Sequence, residues 1–209
     1  MAAIERIRTS FALDDAQALA LERYLGLLLG WRRANVTGVR DPGQATDALL
    51  ADSLALLDVP ALGDAGSRWA DLGSGAGVPG IPLAVARRDV RLTLVESVAK
   101  KCDFLEEAVV AAGLEGRTRV VRARSEVYAA AGAEGREAFD MVLARALAAL
   151  PVVVELAAPL LAPGGVLLAV KTARGAVAEG AAGGAPPQAG GPPRGPRLPQ
   201  PPAPHARTG

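Results

Sequence analysis

The sequence predicts an α/β fold: a doubly wound parallel sheet, with a helical extension before it and a disordered tail after it. Three observations carry this. Strand-like and helix-like segments alternate from Arg68 to Lys171. The first strand runs straight into a glycine-rich turn and a helix, in WADLGSGAGVPGIPLAVA (69–86). No strand signal precedes Trp69, and composition changes sharply after Lys171. The expected division is 1–65 for the helical extension, 66–172 for the sheet and 173–209 for the tail.

The extension opens with apolar residues at helical spacing over 13–34: Leu13, Ala16, Leu19, Ala20, Tyr24, Leu27, Leu28 and Trp31. Asp14 and Asp15 suit the positive first turn of that helix. A second helix is expected from Asp41-Pro42, a cap residue followed by proline at the first helical position, to about Leu57. Strands are expected at 68–72, 90–96, 118–123, 139–144 and 165–171. Helices are expected at 81–88, 98–113, near 125–131 and at 150–161. Such alternation places helices on both faces of a parallel sheet, and its ligands bind at the carboxyl ends of the strands.

Composition bounds the function. The chain has 209 residues, half of them hydrophobic but only 3% aromatic, so its core must come from Ala, Leu and Val. One Cys excludes a disulfide framework and a cysteine-based zinc site, and the one His, His205, lies near the C-terminus; no metal is expected. No signal peptide opens the chain, so the cytoplasm is the expected compartment. The apolar run 146–170 is broken by Pro151, Pro159, Pro163 and Gly164-Gly165. It reads as a helix, a Pro-Gly-Gly turn and a buried strand, not as a membrane span of about 20 residues.

From Arg174 to Gly209 there are nine of the 16 prolines and eight of the 24 glycines. Too little apolar surface is available there to offset ordering, so disorder is expected. Taking the tail's four arginines and one glutamate from the totals of 23 basic and 22 acidic residues leaves 19 and 21 in 1–173. A net of −2 gives no broad nucleic-acid footprint, and any such partner must meet a local patch.

The chemistry concentrates at the glycine turn. Residues 75–80 match G-x-G-x-x-G, a weak dinucleotide fingerprint by itself. Asp71, two residues before Gly73, makes Asp-Leu-Gly-Ser-Gly-Ala-Gly resemble motif I of class I, Rossmann-like methyltransferases that use S-adenosylmethionine. Too little chain follows for a separate substrate domain of a nicotinamide oxidoreductase, the rival reading. Glu96 ends the second strand, where a carboxylate can accept both ribose hydroxyls of an adenosine. The Asn/Asp-Pro-Pro-aromatic motif of amino-group methyltransferases is missing from FDMVLARALAAL (139–150). Cys102 reads as a packed thiol, not a nucleophile. No His before residue 205 can act as base, so an acceptor that needs no deprotonation is expected. Guanine N7, with its free lone pair, meets that requirement. Arg145, just past the fourth strand, would lie beside the cofactor pocket, where its fork can orient a base edge or a phosphate.

Several separated motifs agree: NVTGVRDP (35–42), ADSLALL (51–57), DLGSGAGVPGIPLA (71–84), LVESVAKKCDFL (94–105), FDMVLARALAAL (139–150) and LLAPGGVLLAVK (160–171). Over about residues 13–171 the chain resembles the small-subunit ribosomal RNA methyltransferase G family, also called glucose-inhibited division protein B. The resemblance implies methyl transfer from S-adenosylmethionine to N7 of a guanine in 16S rRNA, within the 30S subunit or its precursor; a monomer is expected. It implies that Gly73 and Val78 contact the cofactor from the turn, beside the Gly75 and Glu96 that position already offers as cofactor-binding residues, that Ser125 and Glu126 contact its adenine, and that Arg145 lines the pocket. It also implies that the N-terminal helices and Asn35-Val36-Thr37 help face the RNA. Two departures stand out. Ala48-Leu49 replaces the family's usual Arg-His, and the tail replaces its closing helix and two strands. The tail reads like a high-GC gene translated out of frame. That keeps a defective chain, and more weakly a small-molecule methyltransferase, as rivals.

Overall fold

The computed structural model describes residues 2–64 and 68–171. The expectations for the tail, disorder and the loss of two strands, lie outside the described residues.

The N-terminal part is helical. No helix is predicted before residue 13, yet α1 (Ala2–Ser10) forms, with Ile7 buried and Glu5 and Arg8 paired one turn apart. It is too short to persist alone, so its order comes from packing on α2 (Asp15–Gly30). α2 starts in a capping box: the Asp14 side chain accepts from the Gln17 amide at 2.9 Å, and the Gln17 side chain accepts from the Asp14 amide at 3.0 Å. It ends at Gly30, four residues earlier than predicted, because Trp31 turns extended and sets its ring edge-on to Phe104, with centroids 5.3 Å apart.

The predicted second helix forms in pieces. Asp41 caps α3 (Pro42–Ala45), accepting from the Gln44 amide at 2.8 Å. A π-turn follows at Thr46–Ala51, then α4 (Asp52–Leu54), a 3-10 turn at Ala55–Asp58 and α5 (Pro60–Asp64). Hydroxyls on this segment bond carbonyls four residues back, Thr46 to Pro42 and Ser53 to Leu49, which bends helices.

β1 (Arg68–Leu72), α6 (Gly80–Ala86), β2 (Arg91–Glu96), α7 (Ala99–Ala111), β3 (Thr118–Arg122), α8 (Ser125–Tyr128), β4 (Phe139–Arg145), α9 (Leu150–Ala157) and β5 (Leu161–Val170) complete the described chain. The sheet is parallel, in the order β3-β2-β1-β4-β5, so the chain reverses direction of growth between β1 and β4. β5 starts four residues before its predicted bounds. Its register slips between Phe139↔Leu161 and Met141↔Val166, so Pro163-Gly164-Gly165 forms an irregularity inside the strand instead of a turn before it. Gly164 takes φ +81° there, and a side chain on Gly165 would meet the Phe139 carbonyl. β5 is half-buried, not buried as expected, because it is the outermost described strand on that side.

Both faces are covered. Trp69, Leu92, Leu94, Met141 and Leu143 point to the side packed by α1, α2, the 42–58 segment, α6 and α7. Ala70, Leu72, Val95 and Val142 point to the side packed by α8 and α9. The N-terminal helices thus share one continuous core with the sheet. No described helix is long and apolar enough to cross a membrane. Removing the box carboxylate by Asp14→Ala orphans the Gln17 amide and should cost about 1 kcal/mol, read as a lower midpoint in urea with an unchanged slope.

Candidate cofactor site at the carboxyl edge

Alternation along the strands sends Asp71, Glu96 and Arg145 to the same face as Trp69, Leu94 and Leu143, the face covered by the N-terminal helices. Register then sets them side by side. Leu72 lies between Val95 and Ala144, and Glu96 lies beside Arg122. Gly73, Glu96 and Arg145 therefore stand at neighbouring strand ends, and Ser125 and Glu126 follow three and four residues beyond Arg122. These sequence-predicted residues converge on one edge, at the switch point where doubly wound sheets hold ligands.

The turn between β1 and α6 is fastened by its backbone. The amides of Gly73 and Ser74 donate to the Val95 carbonyl, at 2.9 and 3.2 Å. The Ser74 hydroxyl donates to the Asp71 carbonyl at 2.7 Å. The Gly80 amide donates to Asp71 Oδ2 at 3.0 Å, tying the start of α6 back to β1. Gly73 and Gly75 take φ of +63° and +51°, which L side chains adopt only at a cost. They differ in surroundings. A Cβ on Gly73 would lie 2.5 Å from Leu147 Cδ1, so that glycine admits the loop after β4. At Gly75 the Gly73 carbonyl, 3.6 Å away, is what a Cβ would meet, so the backbone there is open to a ligand. Val78 is half-buried against the core and precedes Pro79, the residue before α6.

Glu96 is 5% exposed, unlike an ordinary solvated charge at a strand end. Its Oε2 accepts the Gly75 amide at 3.0 Å and its Oε1 the Val98 amide at 2.9 Å. Each oxygen retains a lone pair, the acceptor chemistry that vicinal ribose hydroxyls require. Ser125 is buried at the start of α8, and Glu126 is exposed beside Arg124. Cys102 is a packed thiol, as expected: its Sγ lies 3.3 Å from the Glu96 carbonyl, and burial pushes its pKa up.

Arg145 is not a free surface cation. Its guanidinium donates to the Ala48 carbonyl at 2.7 Å and lies 3.6 Å from Asp52, bridging β4 to the π-turn segment. The Ala48-Leu49 departure therefore leaves this contact intact, because it uses backbone. Ala146 follows with φ +52°, a left-handed turn that costs an L residue about 1–2 kcal/mol and directs Leu147 onto Gly73. Two further residues matter that sequence alone did not assign to the site. Tyr24, counted as an apolar core position of α2, donates to the Ala76 carbonyl at 2.6 Å. Leu147 seals the turn from the β4 side. A tyrosine on an aliphatic face was a visible sign for the first; nothing marked the second.

Asp71 is fully buried, and its Oδ1 has no hydrogen-bond partner. Burial raises its pKa to about 7, opposed by the Gly80 amide and the Arg145 charge and reinforced by Glu96. The parallel sheet in this order, the glycine turn, the clasped acid at motif I and the acceptor carboxylate at the end of β2 together define a class I S-adenosylmethionine-dependent methyltransferase. The crystal structure of the S-adenosylmethionine-dependent methyltransferase SibL in its apo form shares the fold, at a TM-score of 0.51 with 20% identity, covering 80% of this chain and 53% of that one.

Sequence comparison narrows the class. A family model described as rRNA small subunit methyltransferase G matches residues 17–179, eight residues further than the resemblance traced above. The ribosomal RNA small subunit methyltransferase G of Rubrobacter xylanophilus is 46% identical over 155 residues, 74% of this chain and 58% of its own length. That of Stenotrophomonas maltophilia strain K279a is 44% identical over 171 residues, 81% of this chain and 76% of its own. The chain belongs to the rRNA small subunit methyltransferase G family, whose enzymes depend on S-adenosylmethionine and act on small-subunit rRNA.

Two outcomes follow from Asp71. Its folded pKa lies above its unfolded value, so stability from this group is fully present below about pH 4 and is lost as pH rises to about 7. Asp71→Asn keeps an acceptor for Gly80 and should flatten that part of the stability–pH profile, measured by urea unfolding from pH 4 to 8. Gly80→Ala puts a Cβ 2.6 Å from Asp71 Oδ2 and should destabilise the fold by about 1–3 kcal/mol in the same assay.

Proposed function

We propose that this chain transfers a methyl group from S-adenosylmethionine to N7 of a guanine in 16S rRNA, acting as a cytoplasmic monomer on the 30S subunit or its precursor. The observation that carries the reading is the Glu96 carboxylate clamped between the Gly75 and Val98 amides, one strand from the switch point of a sheet from this family. The residues present fit the cofactor: an acceptor-only carboxylate, a glycine backbone open at Gly75, and a half-buried cation at the end of β4.

In this reading the 66–172 unit holds the cofactor and the 1–65 extension helps to face the RNA. Glu96 takes the ribose hydroxyls. Gly73, Gly75 and Val78 present backbone along the turn, and Ser125 and Glu126 meet the adenine. Arg145, braced by Ala48, closes the pocket on the β4 side. When bound, S-adenosylmethionine supplies an electrophilic methyl on a sulfonium. A guanine N7 lone pair is a competent acceptor with no proton to remove, so the protein's task is alignment, and no general base is needed. This agrees with an edge that, among the described residues, carries no His and holds its thiol buried against backbone.

The test is tritium transfer from labelled S-adenosylmethionine to 30S subunits lacking the modification, with the label mapped by mass spectrometry. Label at a guanine N7 is expected. Label on a metabolite with unlabelled subunits would replace the RNA by a small molecule, and calorimetric binding of NADH without S-adenosylhomocysteine would overturn the cofactor. Glu96→Gln should weaken S-adenosylhomocysteine by about ten- to a hundredfold, since a charged acceptor bond is worth about 1.5–3 kcal/mol. Unchanged affinity would remove Glu96 from the site.

A further inference from the structure

Tyr24 sits on α2, far from the glycine turn in sequence, and is completely buried. Its hydroxyl donates to the carbonyl of Ala76, the residue between Gly75 and Gly77, at 2.6 Å. Burial raises its pKa far above the ordinary phenol value, so it stays a donor at any working pH. A phenylalanine would fill the same space without a hydroxyl to satisfy. The hydroxyl therefore has a partner to hold, and the partner is main chain in the turn. Gly75 and Gly77, flanking Ala76, take φ of +51° and +82°. Glycines have the widest choice of conformation, so a turn built on them needs outside restraint to keep one shape. Glu96 restrains it from the β2 side through the Gly75 amide, and Tyr24 restrains it from the helical side through the next carbonyl.

We propose that Tyr24 is a positioning residue for the cofactor: by holding the Ala76 carbonyl it sets the glycine turn in its binding shape before S-adenosylmethionine arrives. This deepens the cofactor reading above and rests on it. Ordering the turn in advance removes an entropy cost from binding, so the effect falls on affinity. The N-terminal extension thereby acts on the cofactor as well as on the RNA side.

The experiment compares wild type, Tyr24→Phe and Leu28→Val, the last a core change on the same helix with no bond to the turn. Each is melted, titrated calorimetrically with S-adenosylhomocysteine, and assayed on 30S subunits. Tyr24→Phe is expected to weaken S-adenosylhomocysteine about tenfold and raise KM for S-adenosylmethionine equally, with kcat and KM for the subunit within twofold. Leu28→Val is expected to melt lower with affinity unchanged. Wild-type affinity in Tyr24→Phe overturns the proposal, as does an equal affinity loss in Leu28→Val. Failure of wild type itself to bind overturns the cofactor reading and this one with it. Should Tyr24→Phe not fold, 3-fluorotyrosine labelling of the intact chain replaces it, with Tyr128→Phe assigning the signal. A Tyr24 fluorine resonance that is already narrow in the free chain and stays narrow when S-adenosylhomocysteine binds supports the proposal, and one that is broad in the free chain and narrows only on binding overturns it.

Discussion

The bond from the Gly80 amide to Asp71 Oδ2 closes the β1–α6 turn on itself, and much of the edge is arranged around it. It turns the last inward residue of β1 into an anchor for the first residue of α6. With both ends pinned, the intervening residues form a short loop whose amides and carbonyls can be met one by one. Val95, Glu96, Ser74 and Tyr24 meet them. Gly80 must be glycine for the carboxylate to come so close. The cost is a carboxylate in the core with one oxygen unpartnered, eased by the Arg145 charge on the neighbouring strand.

That arrangement would be unworkable on a bare sheet. Asp71, Glu96 and Arg145 share a face, and the N-terminal helices cover it. The polar links across this boundary are specific: Gln17 donates to the last carbonyls of α6, Val85 and Ala86, each at 3.0 Å, while Tyr24 holds Ala76 and Arg145 holds Ala48. Gln17 thus serves two ends at once, the start of α2 through the capping box and the end of α6 through its amide nitrogen. Apolar packing by Leu21, Leu25, Leu28 and Leu54 supplies the non-directional part of the contact.

Much of this was legible in the sequence because it follows local rules. Periodicity located the five strands and the helices between them, and Asp41-Pro42 marked a helix start that the structure confirms. Gly73, Gly75, Glu96 and Arg145 fall at strand ends by position alone, so their convergence needed only a parallel sheet. What was not legible depends on distant partners. α1 is ordered by α2, the stop at Gly30 by Phe104, and the slip in β5 by Phe139. The π-turn is hidden for the same reason: Thr46 and Ser53 bond back to carbonyls, and Arg145 reaches Ala48 across 97 positions. Arg145, expected just past the fourth strand, is the last residue of β4, and its contacts with Ala48 and Asp52 join segments far apart in sequence.

The shared core has a consequence for how this chain can be divided. A cut between residues 64 and 68 would fall where the sequence suggests a boundary. It would nonetheless remove α1, α2 and the 42–58 segment from a side of the sheet they share with α6 and α7, opening the core that holds Trp69, Leu92, Leu94, Met141 and Leu143 beside a buried carboxylate. The αβ half is therefore not a portable cassette onto which another recognition module could be grafted. In exchanges among relatives, the helices and the strands they cover have to travel as one inheritance.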